Sequence, residues 1–130
     1  HQLGGVTIQK NCKIGSNVTI VRGSANENTI IGEGTCMAHG TLIGHGCVIG
    51  KNNHFANNVS LGGGVKICDN CFFGSGVVLS AGCIIQNIIL VGSGGVLNGT
   101  IQKSGVYVGV PAKWKKEYQG KMSGVPFKSY

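Results

Sequence analysis

The sequence is short of charge, of proline and of long apolar runs. Charged residues make up 12% of the 130 positions, and four acids face eleven Lys and Arg. That is too little charge for a coiled coil or a disordered acidic or basic tail, and a hydrophobic content of 42% argues against disorder in general. Two prolines exclude a collagen. No stretch approaches the roughly 20 apolar residues of a membrane-crossing helix, so no membrane span is expected. No secretory signal pattern is present. Because residue 1 is His, the chain is expected to begin inside a longer protein, with a targeting segment or an N-terminal domain ahead of it. Sequons at Asn17, Asn58 and Asn98 are read as chance occurrences in an Asn-rich chain.

What is abundant is glycine. Its 24 copies are spread evenly, which excludes a linker and asks for a regular cause. Counting in sixes from Ile31 gives Met37, Ile43, Ile49, Phe55, Leu61 and so on through Leu97, all large and apolar. The residue after each anchor is nearly always small (Gly32, Ala38, Gly44, Gly50), and a small or β-branched residue sits two before it (Thr29, Thr35, Thr41, Cys47). An earlier register, Ile8, Ile14 and Ile20, obeys the same rule. The eleven-residue step from Ile20 to Ile31 marks an out-of-phase loop near residues 23–28. A period of six fits neither a helix at 3.6 nor one long strand at 2. It fits short strands joined by tight corners, three hexads making one triangular turn of a parallel β-helix. Residues 6 to about 101 then form about five coils, with the glycine after each anchor expected to make the corner. The all-β solenoid is assigned to residues 1–103, and a C-terminal loop and basic tail to 104–130. Residues 114–119 are read as one or two helical turns, with Trp114 packing the tail against the last coil. Residues 113–130 carry five Lys and one Glu, +4 of the total +7.

The six cysteines fall largely on repeat positions. Cys12, Cys47, Cys71 and Cys83 take the small inward site, where a thiol is a compact hydrophobe. Cys68-Asp-Asn-Cys71 has C-x-x-C spacing, yet each Cys is on an ordinary repeat position and no second pair completes a metal site. No metal is expected, and reduced thiols fit a cytoplasmic protein.

The titratable inventory is short: His1, His39, His45, His54, Glu27, Glu33, Asp69, Glu117 and the thiols. His45 lies two residues past an anchor, at an outward-facing corner flanked by Gly44 and Gly46. Such an imidazole is either a general base for an incoming amine or hydroxyl or simply an exposed turn histidine.

Residues 3–110 resemble the left-handed β-helix of the hexapeptide-repeat acyltransferases. The match is nearest to the UDP-3-O-acylglucosamine N-acyltransferases, and the chain is also similar to the bacillosamine and sialic-acid type sugar acetyltransferases. Three stretches carry it: Leu3-Gly-Gly-Val-Thr-Ile-Gln-Lys-Asn-Cys-Lys-Ile-Gly15, Val21-Arg-Gly-Ser24, and Thr29-Ile-Ile-Gly-Glu-Gly34 running on to Ile43-Gly-His45-Gly-Cys-Val-Ile-Gly50. The family's Ile-Ala-His-Asn-x-x-Ile-Gly segment places its general base on His45. In the sugar acetyltransferases a second His that contacts the acyl donor falls on His54, and their Leu-Ser-Gly-Gly run resembles Leu61-Gly-Gly-Gly64. The sequence departs from these patterns at Gly46, where the families have Asn or an acid after the base, at Val21, where one has an acid, and at Gly82, where a later His is absent. The group that orients His45 is therefore sought elsewhere: a backbone carbonyl, His39 one corner earlier, or Glu27 about one coil below.

The resemblance implies direct acyl transfer from an acetyl-CoA or acyl-carrier-protein thioester to the amino group of a nucleotide-linked sugar, as in lipopolysaccharide or surface-glycan synthesis. No bound cofactor is implied. It also implies a homotrimer with the donor arm in a groove between prisms. Gly63, one coil after His45, is expected to leave room for that arm, and Lys113, in Val108-Gly-Val-Pro-Ala-Lys113, to approach the donor phosphates. Other readings are a degenerate or structural scaffold and a γ-carbonic-anhydrase-like zinc enzyme, for which His39, His45 and His54 have the wrong spacing. An ice-binding prism is disfavoured because Thr35 and Thr41 lie on different faces. Nucleic-acid binding is disfavoured because few aromatics sit among the lysines.

Overall fold

A computed structural model describes residues 4–118. The chain winds through β1 (Val6–Ile8), β2 (Lys13–Ile14) and β3 (Thr19–Ile20), then β4 (Thr29–Ile31), β5 (Cys36–Met37) and β6 (Leu42–Ile43). The third coil is β7 (Val48–Ile49), β8 (His54–Phe55) and β9 (Ser60–Leu61), and the fourth β10 (Lys66–Ile67), β11 (Phe72–Phe73) and β12 (Val78–Leu79). The fifth is β13 (Ile84–Ile85), β14 (Ile89–Val91) and β15 (Val96–Leu97); β16 (Thr100–Ile101), β17 (Gly105–Gly109) and β18 (Ala112–Lys116) close the described region. Every third strand stacks, giving parallel sheets β1-β4-β7-β10-β13-β16, β2-β5-β8-β11-β14-β17 and β3-β6-β9-β12-β15. This is the hexapeptide solenoid expected from the period, and it matches a left-handed parallel β-helix. Among the described residues no helix is long and apolar enough to cross a membrane.

The period works because every anchor from Ile31 to Leu97 reaches the prism interior, while Ile8 and Ile14 of the first coil stay exposed. Ile31, Ile43, Phe55, Phe73, Leu79 and Ile85 are each fully buried. Phe55 and Phe73, paired in adjacent coils, stack with ring centroids 5.0 Å apart. The inward position two residues earlier holds Thr29, Thr35 and Thr41, whose hydroxyls donate to Val21 O, Gly50 O and Ala56 O. Cys47, Cys71 and Cys83 fill equivalent buried sites. Burial pushes the Cys71 thiol up to about 12 and Cys83 up to about 11. The Cys68 thiol donates to Gln86 Oε1 and that of Cys71 to Gln86 O.

Two expectations are corrected. The left-handed backbone of the regular corners lies three residues after the anchor, not one. Gly46, Gly64 and Gly82 take it, and so do Asn52, Asn58 and Asn70. The glycine directly after the anchor is small for a different reason: a β-carbon on Gly32 would stand 2.7 Å from Ile49 O of the next coil. The second correction concerns the helical turns expected over 114–119, of which residue 119, like the rest of the basic tail, lies outside the described residues. Ala112–Lys116 is a strand, antiparallel to β17, because β17 leaves an open sheet edge whose backbone groups a returning strand can pair. Trp114 does pack on the last coil, its Nε1 donating to Ser104 O and its ring lying 3.5 Å from Lys103 Nζ.

One corner breaks the glycine–asparagine rule. Ile88 has φ 58° and is 43% exposed, a conformation that crowds a β-branched side chain. Ile88→Gly is expected to stabilise the fold by about 1 kcal/mol, read as a higher denaturant midpoint at unchanged slope.

Candidate active site

The first coil is longer than the rest, and the excess builds the site. Ile31 pairs with Ile49, a regular three-hexad step, but Ile8 pairs with Ile31, a longer one. The extra residues fall in the corner between β3 and β4, where Ser24 and Glu27 reside. That corner lies one coil before the β6–β7 corner that carries His45. The enlarged turn carries the Glu27 carboxylate to the imidazole: Oε1 is 2.9 Å from His45 Nδ1. Oε1 also accepts from the Ser24 hydroxyl at 2.5 Å and from the Ser24 N–H at 3.1 Å. The hydrogen bonds from the Ser24 hydroxyl, from His45 and from the Ser24 N–H hold the Glu27 carboxyl down at about 2.

The carboxylate settles the imidazole tautomer. An ionised Glu27 can only accept, so Nδ1 carries the proton, and in the neutral ring the lone pair is on Nε2. The imidazole is 58% exposed, and it borders an open cleft of about 340 Å³ lined by Val21, Arg22, Gly23, Ser24, Ala25 and His45. The corner beneath is fixed by Thr29 Oγ1, which accepts from Gly46 N–H at 2.9 Å while donating to Val21 O at 2.7 Å. Gly64 N–H donates to His45 O at 2.8 Å. A polarised base facing an open cleft can remove a proton from a neutral nucleophile.

Of the residues singled out from sequence, the structure brings Glu27, His45 and Gly63 together and separates the others. At Gly63 the imidazole itself occupies the space a β-carbon would take, at 2.8 Å from both Cδ2 and Cε1. His39 sits at the β5–β6 corner, its Nδ1 2.9 Å from Ser16 Oγ, and does not touch His45. His54 lies in a different sheet, in β8, buried with its ring 5.3 Å from that of Phe72. Lys113 is exposed on β18, paired in register with Val108. Sequence reasoning gives Ser24 and Arg22 no role of their own. Their signal is the out-of-phase loop itself, since an insertion that breaks a strict period needs its own reason.

Burial lowers the His54 imidazole to about 4 from its ordinary 6.5. The unfolded chain therefore binds a proton more readily than the folded one between those values. This contribution to stability is complete above 6.5 and is lost as pH falls toward 4. His54→Phe is expected to flatten the stability–pH profile in that window, measured by urea unfolding at each pH.

Residues 46–81 match the family model described as Bacterial transferase hexapeptide (six repeats). No curated protein sequence matches. Solved structures with the same fold include UDP-N-acetylglucosamine acyltransferase of Arabidopsis, 26% identical over 96% of this chain and 44% of that one, with a TM-score of 0.87. UDP-N-acetylglucosamine O-acyltransferase of Moraxella catarrhalis is 26% identical over 95% of this chain and 49% of that one, TM-score 0.81. A variant of perosamine N-acetyltransferase from Caulobacter crescentus, in complex with CoA and GDP-perosamine, is 26% identical over 88% of this chain and 58% of that one, TM-score 0.66. The chain thus spans about half the length of these structures. The likeness to hexapeptide-repeat sugar acyltransferases expected from the sequence stands on both the family match and the shared fold.

Proposed function

We propose that this β-helix is the catalytic part of an acyltransferase that moves an acyl group from a CoA or acyl-carrier-protein thioester to the amino group of a nucleotide-linked sugar. The observation that carries the reading is the His45–Glu27 contact, with Nδ1 2.9 Å from Oε1 on an exposed imidazole that borders a cleft. In the proposed step the acceptor amine attacks the thioester carbonyl while Nε2 takes its proton. Backbone N–H groups of the next coil stabilise the oxyanion as it forms. Collapse of the tetrahedral intermediate breaks the C–S bond, and the imidazolium returns the proton to the departing thiolate. An amide and a free thiol result, with no covalent enzyme intermediate. Glu27 remains ionised in the neutral range and stabilises the imidazolium throughout.

The structural neighbours support both halves of this reading, since one is described with CoA and a GDP-sugar and two act on UDP-N-acetylglucosamine. The O-acyltransferase among them supports a hydroxyl acceptor as a second form of the same reaction. On the donor side we assign Lys113 to the phosphates. It lies on the strand beyond the sixth coil while His45 lies in the second, an axial offset of about 24 Å at roughly 4.8 Å per coil, so the donor would lie extended along the prism. His54 is the other donor-side candidate, and its burial favours a packing role over contact. A homotrimer is part of the proposal, supported by Leu42 and Val78, 41% and 39% exposed in the same sheet. Cytoplasmic residence belongs to it too. An inert scaffold gives no account of why a carboxylate with three hydrogen bonds should hold one nitrogen of an exposed imidazole.

The test is mass spectrometry of a panel of nucleotide-linked amino and hydroxyl sugars incubated with acetyl-CoA or acyl carrier protein, beside a His45→Ala control. Gain of an acyl mass with the wild type and not with the control is expected. If no acceptor gains an acyl mass, or if the control performs equally, the proposal fails.

A further inference from the structure

We infer that Gly46 and Gly63 are positioning residues of the base: their two absent β-carbons are the seats of the Glu27 carboxylate and the His45 imidazole. The catalytic consequence rests on reading His45 as the base, while the physical content does not. A β-carbon on Gly46 would stand 2.5 Å from Cδ, Oε1 and Oε2 of Glu27. One on Gly63 would press on Nε2 and stand 2.8 Å from Cδ2 and Cε1 of His45. In each case the three nearest heavy atoms belong to a single functional side chain. Gly34 and Gly40 likewise meet one residue each, the corner Asn52 and Asn58 of the next coil, whereas Gly32 faces backbone of the next coil and Gly64, Gly76 and Gly82 face open space.

Neither glycine is required by the backbone. Gly46 has φ 69°, but Asn52, Asn58 and Asn70 occupy the equivalent corner position at φ 55°, 58° and 60°. An Asn at 46 would satisfy the turn and collide with Glu27. Gly63 has no left-handed φ at all. The equivalent corner position is His39, Lys51 and Asn57 in hexads before it and Asp69, Ser75 and Ala81 in those after. Glycine recurs in that phase only at 99, where it has a left-handed φ of 72°; Gly63, without one, is the residue one coil above the imidazole. Glu27, His45 and Gly63 therefore form a column, evenly spaced at one per coil, with the ring seated over Gly63 and its Nδ1–H on Glu27. A methyl group at either glycine would open that hydrogen bond and release control of the tautomer.

The experiment follows the Glu27 carboxyl by ¹³C NMR titration in the intact chain. Its midpoint is expected at about 2 in the wild type and to rise toward the ordinary 4.5 in Gly63→Ala and in Gly46→Ala. Gly64→Ala is the backbone control, with φ 71° and nothing within 4 Å of its added methyl group, and should leave the midpoint in place. In a His45→Ala background, where nothing contests the methyl group, Gly63→Ala should add nothing to the shift. The inference is overturned if Gly63→Ala leaves the wild-type midpoint unchanged, or if it shifts Glu27 equally with His45 removed. These readings need no substrate, so an inactive wild type would sink the proposed function while leaving this result to stand or fall separately.

Discussion

His45→Ala is expected to slow acyl transfer by about 10²- to 10⁴-fold, the usual range for removing a positioned general base. The loss should appear in kcat under saturating donor and acceptor, because the proton moves in the transition state and not on binding. Stability should change little, within about 0.5 kcal/mol, since the imidazole is 58% exposed and is not part of the hydrophobic core. Single-turnover rates measured beside a denaturant curve separate the two effects. A His45→Ala protein that unfolds early would mean that the corner depends on the ring for its structure.

Glu27→Ala carries the second large effect. Removing the carboxylate frees Nδ1 to exchange its proton with Nε2 and leaves the imidazolium without a counter-charge. A drop of about 10- to 100-fold in kcat is expected, the factor to which loss of one charge-assisted hydrogen bond corresponds. Ser24→Ala should fall between Glu27→Ala and the wild type, because Glu27 keeps its bond to His45 and loses only one of its own supports. The same pair governs acid stability. Glu27 sits at about 2 in the fold against 4.5 unfolded, so its stabilisation is complete above 4.5 and is lost as pH falls toward 2. Glu27→Gln should remove that slope while leaving the shape of the profile above 4.5 unchanged.

How much of this could be read in advance depended on whether one residue or two set the constraint. An anchor such as Phe55 or Leu79 obeys a rule of its own, that a large apolar side chain every six residues must face inward, and the solenoid with its sheet register was legible from it. The glycines mix two rules. Gly32 is small because of the neighbouring coil, while Gly64 is glycine because of its own φ, and the sequence shows only that both are small. Residues 112–116 carry no alternation that announces a strand. They become one because β17 offers an edge, which is a property of the preceding coil and not of the segment. At the site, Glu27 was visible as one acid in an out-of-phase loop, but its choice over His39 required the insertion to be folded. Gly63 was found at the right spacing, but that the place of its missing β-carbon is taken by the His45 ring could be seen only in the fold.

The central claim is that Glu27 selects the tautomer of the neutral His45 ring, with the proton on Nδ1 and the lone pair on Nε2, and ¹⁵N NMR of the imidazole in the folded wild type at mildly alkaline pH tests it without knowledge of any substrate. The account predicts that Nδ1 carries the proton and Nε2 does not, and that this preference disappears in Glu27→Ala. A proton resident on Nε2, or a tautomer indifferent to the loss of Glu27, would contradict it.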